Sequence, residues 1–182
     1  MARNTLSRAL HDAGLAAWFG GTLANAVALN PAAAQAEGSH ATGAVANTGW
    51  DRWTPVNAAA IGAHLVGSIG QLAGNQRRVA AQQGVGSMVV AKTTLTAAAL
   101  GATAYSRALG RKVSAKTDVP AESGTTPAAT TPKAVANAQR QLSVLQWVVP
   151  ALTGALVVVS SFAGEQQRAE EVHKGLIGRF TG

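Results

Sequence analysis

Three windows of the chain, 13–36, 53–76 and 141–164, each run for 24 residues without one Asp, Glu, Lys or Arg, and a fourth, from Val79 to Ser106, is broken only by Lys92. A surface helix of a soluble bundle alternates an apolar stripe with a charged face at a period of 3.6 residues. These windows have no charged face to alternate, which counts against the competing reading of an Ala-rich soluble bundle. At about 1.5 Å of rise per residue, such a window reaches roughly 36 Å, enough to cross a hydrocarbon core of about 30 Å with some tilt. The pattern predicts an all-α four-transmembrane-helix bundle, a single integral membrane domain over residues 1–182 with spans at 13–34, 54–74, 86–107 and 142–163.

The spans are not equally apolar. The second mixes Asn57, His64, Ser68 and Gln71 with its aliphatic residues, while the fourth carries the run Ala155-Leu156-Val157-Val158-Val159. In lipid, helices associate through small residues that let backbones come close. The first span offers Ala16, Gly20, Ala24, Ala28 and Ala32 at every fourth position, and the second offers Ala59, Ala63 and Gly67. These are the expected packing faces. Asn25 and Asn57 are placed to bond across the first two spans, and Pro150 is expected to kink the fourth by freeing the carbonyl of Gln146. The amino-terminal segment has a second reading. Arg3 and Arg8, an apolar stretch, Pro31 and Ala34-Gln35-Ala36 before Glu37 also fit a cleaved secretory signal, although Asp12 and the small-residue ridge favour a retained span.

Trp50, Trp53, Tyr105 and Trp147 fall at one face of the predicted membrane, as an interfacial aromatic belt does. Four spans put both termini on one side. Arg3, Arg8, Arg77, Arg78, Arg168, Lys174 and Arg179 then share that side, against an equal number of basic residues opposite, and Lys92 tips the balance toward cytoplasmic termini. From 110 to 139 the composition turns to Thr, Ser, Pro and Ala, with Val113, Val119 and Val135 as the only larger apolar residues. That stretch is expected to bury no core and to be a flexible loop. A charged tail, 165–182, follows the fourth span.

Composition sharpens the picture at a few points. Only 13% of residues are charged, against roughly 25% in an ordinary soluble domain. The net charge of +7 is spread as an edging of uncharged spans, which argues against nucleic acid as a partner. With no cysteine, there is no disulfide, thiolate metal site or cysteine nucleophile. His64, near the middle of the second span, is the candidate for chemistry, with Asn57 beside it as a weak cofactor-binding site. A bis-His haem needs a second His at matching depth, and His11 is expected at the opposite end of the bundle. Asp12 and Lys92 form a possible ion pair near the face holding the termini. No phosphate loop, zinc-protease or nucleophile-elbow motif is present, so no catalytic residue, metal or cofactor is expected.

Leu10-His11-Asp12-Ala13-Gly14-Leu15-Ala16-Ala17-Trp18-Phe19-Gly20-Gly21, Trp50-Asp51-Arg52-Trp53, and Leu145-Gln146-Trp147 through Pro150-Ala151-Leu152-Thr153-Gly154 resemble stretches of uncharacterised small membrane proteins of high-GC Gram-positive bacteria. The resemblance covers most of the chain outside the Pro/Thr loop. It implies four helices and no reaction. The expectation is a non-enzymatic, multi-pass protein of the cell membrane. Its partners are the lipid bilayer and either other membrane subunits or further copies, reached through small-residue faces. The alternative is a quinone- or haem-handling protein with a cavity around His64.

Overall fold

The computed structural model describes residues 4–81, 84–115 and 119–165, with the side chains of all of these except 77, 78 and 81. The tail at 166–182, with Arg168, Lys174 and Arg179, lies outside them. Apart from a single bridge between Ala121 and Pro127, the regular structure of the described residues is all helical. Four rods are formed: α1 (Thr5–Ala24), continued through a widened turn at Asn25–Leu29 into the short α2 (Asn30–Ala33); α3 (Ser39–Ala81); α4 (Val85–Ser114); and α5 (Lys133–Glu165). The widened turn has a local cause. Pro31 has no amide to give the Val27 carbonyl and would crowd it, and the wider turn relieves that contact.

The rods pack in the order α3, α1, α5, α4, while α3 and α4, neighbours in sequence, barely touch. The result is an open horseshoe in cross-section. Its centre is Trp18, packed with Ala60 of α3 and Ala99 of α4, with Ile61, Leu100 and Leu152 around them. The outward faces are apolar: Ile69 is 69% exposed, Val90 65%, Val144 62% and Phe162 61%. Exposed apolar side chains of this kind suit a lipid environment.

α1 and α3 run antiparallel with their backbones almost touching. A Cβ on Gly14 would stand 2.5 Å from the Ala60 oxygen and the His64 nitrogen, and one on Gly67 would stand 2.3 Å from the His11 nitrogen. Gly21 lies under the Trp53 indole and Gly74 under the Asn4 side chain. This register puts Gly21 opposite Trp53, so the expected spans 13–34 and 54–74, centred near residues 24 and 64, stand about 14 residues out of step, or ~20 Å along the axis. The seam also differs from the expected ridges. Ala16, Gly20, Ala24, Ala28 and Ala59 are exposed, Ala63 is half-buried, and of that set only Gly67 lies in the seam. Large residues meeting glycines fix this register, which alanine, small on every face, cannot do.

Two helices start well before their expected spans. At about 65 Å, the 43-residue α3 outruns a hydrocarbon core of about 30 Å, and Pro55, expected at its start, lies inside it. α5 begins at Lys133, its first turn bonded to the Pro132 carbonyl, and continues through Pro150. These extensions correct the expected loop at 110–139. Val113, Val119 and Val135, the three apolar residues thought too few to bury a core, are buried together with Leu109 and Ala138. The connection from 119 to 132 lies on the starts of α3 and α2. Ala121 N donates to Ser39 O at 2.9 Å, Gly124 N to Asn30 O at 3.5 Å and Thr131 Oγ1 to Pro120 O at 2.6 Å. Val119→Asp buries a carboxylate in that cluster, a cost of several times the ~1.4 kcal/mol that makes a tenfold change. Amide exchange over 119–132 is expected to accelerate more than tenfold; unchanged exchange would refute the docking.

Candidate functional site

Polar side chains gather at two levels of the horseshoe. The first is a histidine pair in the α1–α3 seam. His11 and His64 are 1% and 0% exposed, their ring centroids are 4.6 Å apart, and the His64 ring lies 6.0 Å from that of Trp18. This overturns the expectation that His11 lies at the opposite end of the bundle: the glycine crossings set it level with His64. His11 Nδ1 lies 2.7 Å from the Asp12 carboxylate and His64 Nδ1 3.4 Å from the His11 carbonyl oxygen. Both partners only accept, so each Nδ1 is placed to donate. Both Nε2 atoms are buried without a partner.

The arrangement limits what this pair can hold. Two imidazoles ligating one haem iron stand on opposite sides of it, nitrogen to nitrogen, whereas these rings pack against each other. No group of three His, Cys, Asp or Glu able to hold a metal occurs among the described residues. Asp12, its side chain 60% exposed, bonds the neighbouring imidazole and forms no ion pair with Lys92 among the described residues. Lys92 lines a cavity of about 410 Å³ between α3 and α4.

The second level is a network around Asn30, 3% exposed, which the sequence reading passed over. Its Nδ2 donates to Gln146 Oε1 at 2.8 Å, its Oδ1 accepts from Trp50 Nε1 at 2.9 Å, and its main-chain oxygen accepts from Gly124. One side chain thus ties α2 to α3 and α5. The expected bond between Asn25 and Asn57 is absent; Asn57 Oδ1 is buried with no partner. An Asn that ends a span beside a proline is easily taken for a cap. The three elements it joins are distant in sequence, so spacing gave no signal.

Above this network, between α3, α4 and α5, lies a second cavity, of about 300 Å³. Trp50, Trp53, Asn57 and Arg107 line it, together with aliphatic residues of all three helices, and Gly124 and Thr125 of the docked connection close one side. Arg107 Nη1 donates to Asp51 Oδ1 at 3.0 Å across the α3–α4 opening. Of the four belt aromatics, Trp50 and Trp53 thus turn inward. Tyr105, whose hydroxyl donates to Gln141 Oε1, and Trp147 are half exposed. His64 lines neither cavity.

Three of the four helices, α3, α4 and α5, are long and apolar enough to cross a membrane, which fits a multi-pass membrane protein, and their outward faces suit a lipid environment. No family model, curated protein or solved structure matches the chain.

Proposed function

We propose that the chain is a four-helix protein of the cell membrane, with α1 retained as the first span and both termini cytoplasmic. It acts as an accessory or structural subunit without catalytic chemistry. Kinship with small membrane proteins of high-GC Gram-positive bacteria belongs to the same proposal. The observation that carries it is the outward face of α1. Ala16, Gly20, Ala24 and Ala28 form a small-residue ridge that the chain's own helices leave exposed, and nothing within 4 Å would meet a Cβ on Gly20. In lipid, such a ridge lets another helix approach closely. The partner is a second copy or another membrane subunit, and neither a cofactor nor nucleic acid is required.

Affinity purification of tagged protein from membranes tests this, comparing the native chain with Gly20→Leu. Gly20 has open space, so the variant is expected to fold normally and to lose at least 80% of a stoichiometric partner, whether an untagged copy or another subunit. Recovery of the same partner at the same ratio would overturn the reading. The alternative centred on His64 lacks a comparable observation, because the histidine pair lines neither of the two cavities.

A further inference from the structure

The 300 Å³ cavity at the Trp50 end of the bundle has features that a simple packing gap lacks. Its volume stands at the lower end of small-molecule sites, roughly 300–1,000 Å³. Three residues of its wall carry buried polar atoms without a partner: Trp53 Nε1, Asn57 Oδ1 and Arg107 Nε. Buried polar groups are ordinarily satisfied, so three unmet ones around one cavity mark hydrogen bonds still to be made. Two of the three are N–H donors. They call for an oxygen acceptor.

The rest of the wall restricts what carries that oxygen. Ile61, Leu100, Leu145 and Val149 make the interior apolar, so a net charge would be costly to bring in. The Arg107 charge is already offset by Asp51 at 3.0 Å, leaving its Nε–H as a donor without a free charge to neutralise. Two indoles offer flat surface to a ring. Trp50 is fixed by Asn30, and Gly124 and Thr125 close the site on the side of the docked connection. We propose that this cavity binds an uncharged, lipid-soluble ring compound through a carbonyl oxygen, which accepts from Trp53 Nε1–H and Arg107 Nε–H. The site goes beyond the assembly role and does not use the outward face of α1, so either proposal can fail without the other.

Benzophenone is a suitable probe: an uncharged diaryl ketone of suitable size that inserts into neighbouring C–H bonds on irradiation. Protein in lipid nanodiscs would be irradiated with it and the adducts mapped by peptide mass spectrometry. Adducts are expected to concentrate on peptides carrying Ile61, Leu100 and Leu145, and to fall at least fivefold in Trp53→Phe, which keeps the ring and removes the donor. Ala104→Phe, which fills the cavity from α4 and leaves Trp53 and Arg107 in place, is expected to give the same loss and decides the matter if Trp53→Phe does not fold. Equal labelling of the outward-facing Val66, Val90 and Phe162, or labelling unchanged in the variant that folds, would overturn the proposal.

Discussion

Gly67→Leu is expected to part α1 from α3 and to leave little monodisperse protein in detergent, whereas Gly62→Leu, five residues earlier on the same helix, leaves the protein intact. A Cβ at Gly67 would stand 2.3 Å from the His11 nitrogen and 2.5 Å from the Ser7 oxygen, both backbone atoms of α1. Overpacking a core commonly costs about 1–3 kcal/mol when side chains can yield. A helix backbone yields only by moving as a rod, so the cost here lies at or above the top of that range. Gly21→Leu stands between the two, because its Cβ meets the Trp53 indole, a side chain that can rotate toward the neighbouring cavity. A Cβ on Gly62 meets nothing within 4 Å, and leucine there also improves helix propensity. Thermal unfolding with size-exclusion profiles of the three variants checks the order. A Gly67→Leu protein as stable as Gly62→Leu would refute the seam.

The helices were legible because lipid and water impose opposite rules on charge. Windows such as 141–164 carry none, and α5 covers the whole of that window. The register was not legible. Alanine is so frequent that small residues recur at every fourth position on several faces of α1, and the ridge through Ala16 and Gly20 looks as good as any other. The seam in the structure runs through Asn4, Ser7, His11, Gly14, Trp18 and Gly21, at alternating steps of three and four, against Trp53, Ala60, His64, Gly67 and Gly74. Its sign in the sequence was complementarity between helices: Trp53 over Gly21, His64 over Gly14 and His11 over Gly67. A small-residue ridge sought on one helix at a time misses that pairing, and with it the contact between His11 and His64.

The early starts of α3 and α5 were hidden for a different reason. Residues 39–53 and 133–141 are Ala-rich and polar, able to form a helix but without the apolar run that marks a span. Both pack on the 119–132 connection, the first also on Leu29 and the second on the end of α4. Val119 and Val135, 6 and 22 residues from Val113, meet it only after the chain has reversed between α4 and α5. Propensity could not supply that contact. The candidate cavity arises at the same junction, which is why Asn57 was found from the sequence and Arg107, Asn30 and Gln146 were not.

Trp18→Ala is expected to be the most destabilising single truncation in the chain. Trp18 is fully buried, packs with Ala60 and Ala99 beside Leu152, and donates from Nε1 to Thr103 Oγ1 at 3.2 Å, so one side chain joins α1 to α3, α4 and α5. In water-soluble cores, removing such a ring costs about 3–5 kcal/mol. In a membrane part of that vanishes, because a helix released from the bundle meets lipid, while the lost packing contacts remain. A loss of about 2–4 kcal/mol is expected on unfolding in mixed micelles. Trp18→Phe keeps most of the ring and gives up the hydrogen bond, worth about 1 kcal/mol. Thr103→Val removes the same bond from its other end. The two conservative changes combined are therefore expected to cost less than the sum of each alone, as contacting residues do. Strict additivity would place the indole N–H elsewhere, and a Trp18→Ala protein within 1 kcal/mol of the native chain would refute a bundle centred on this ring.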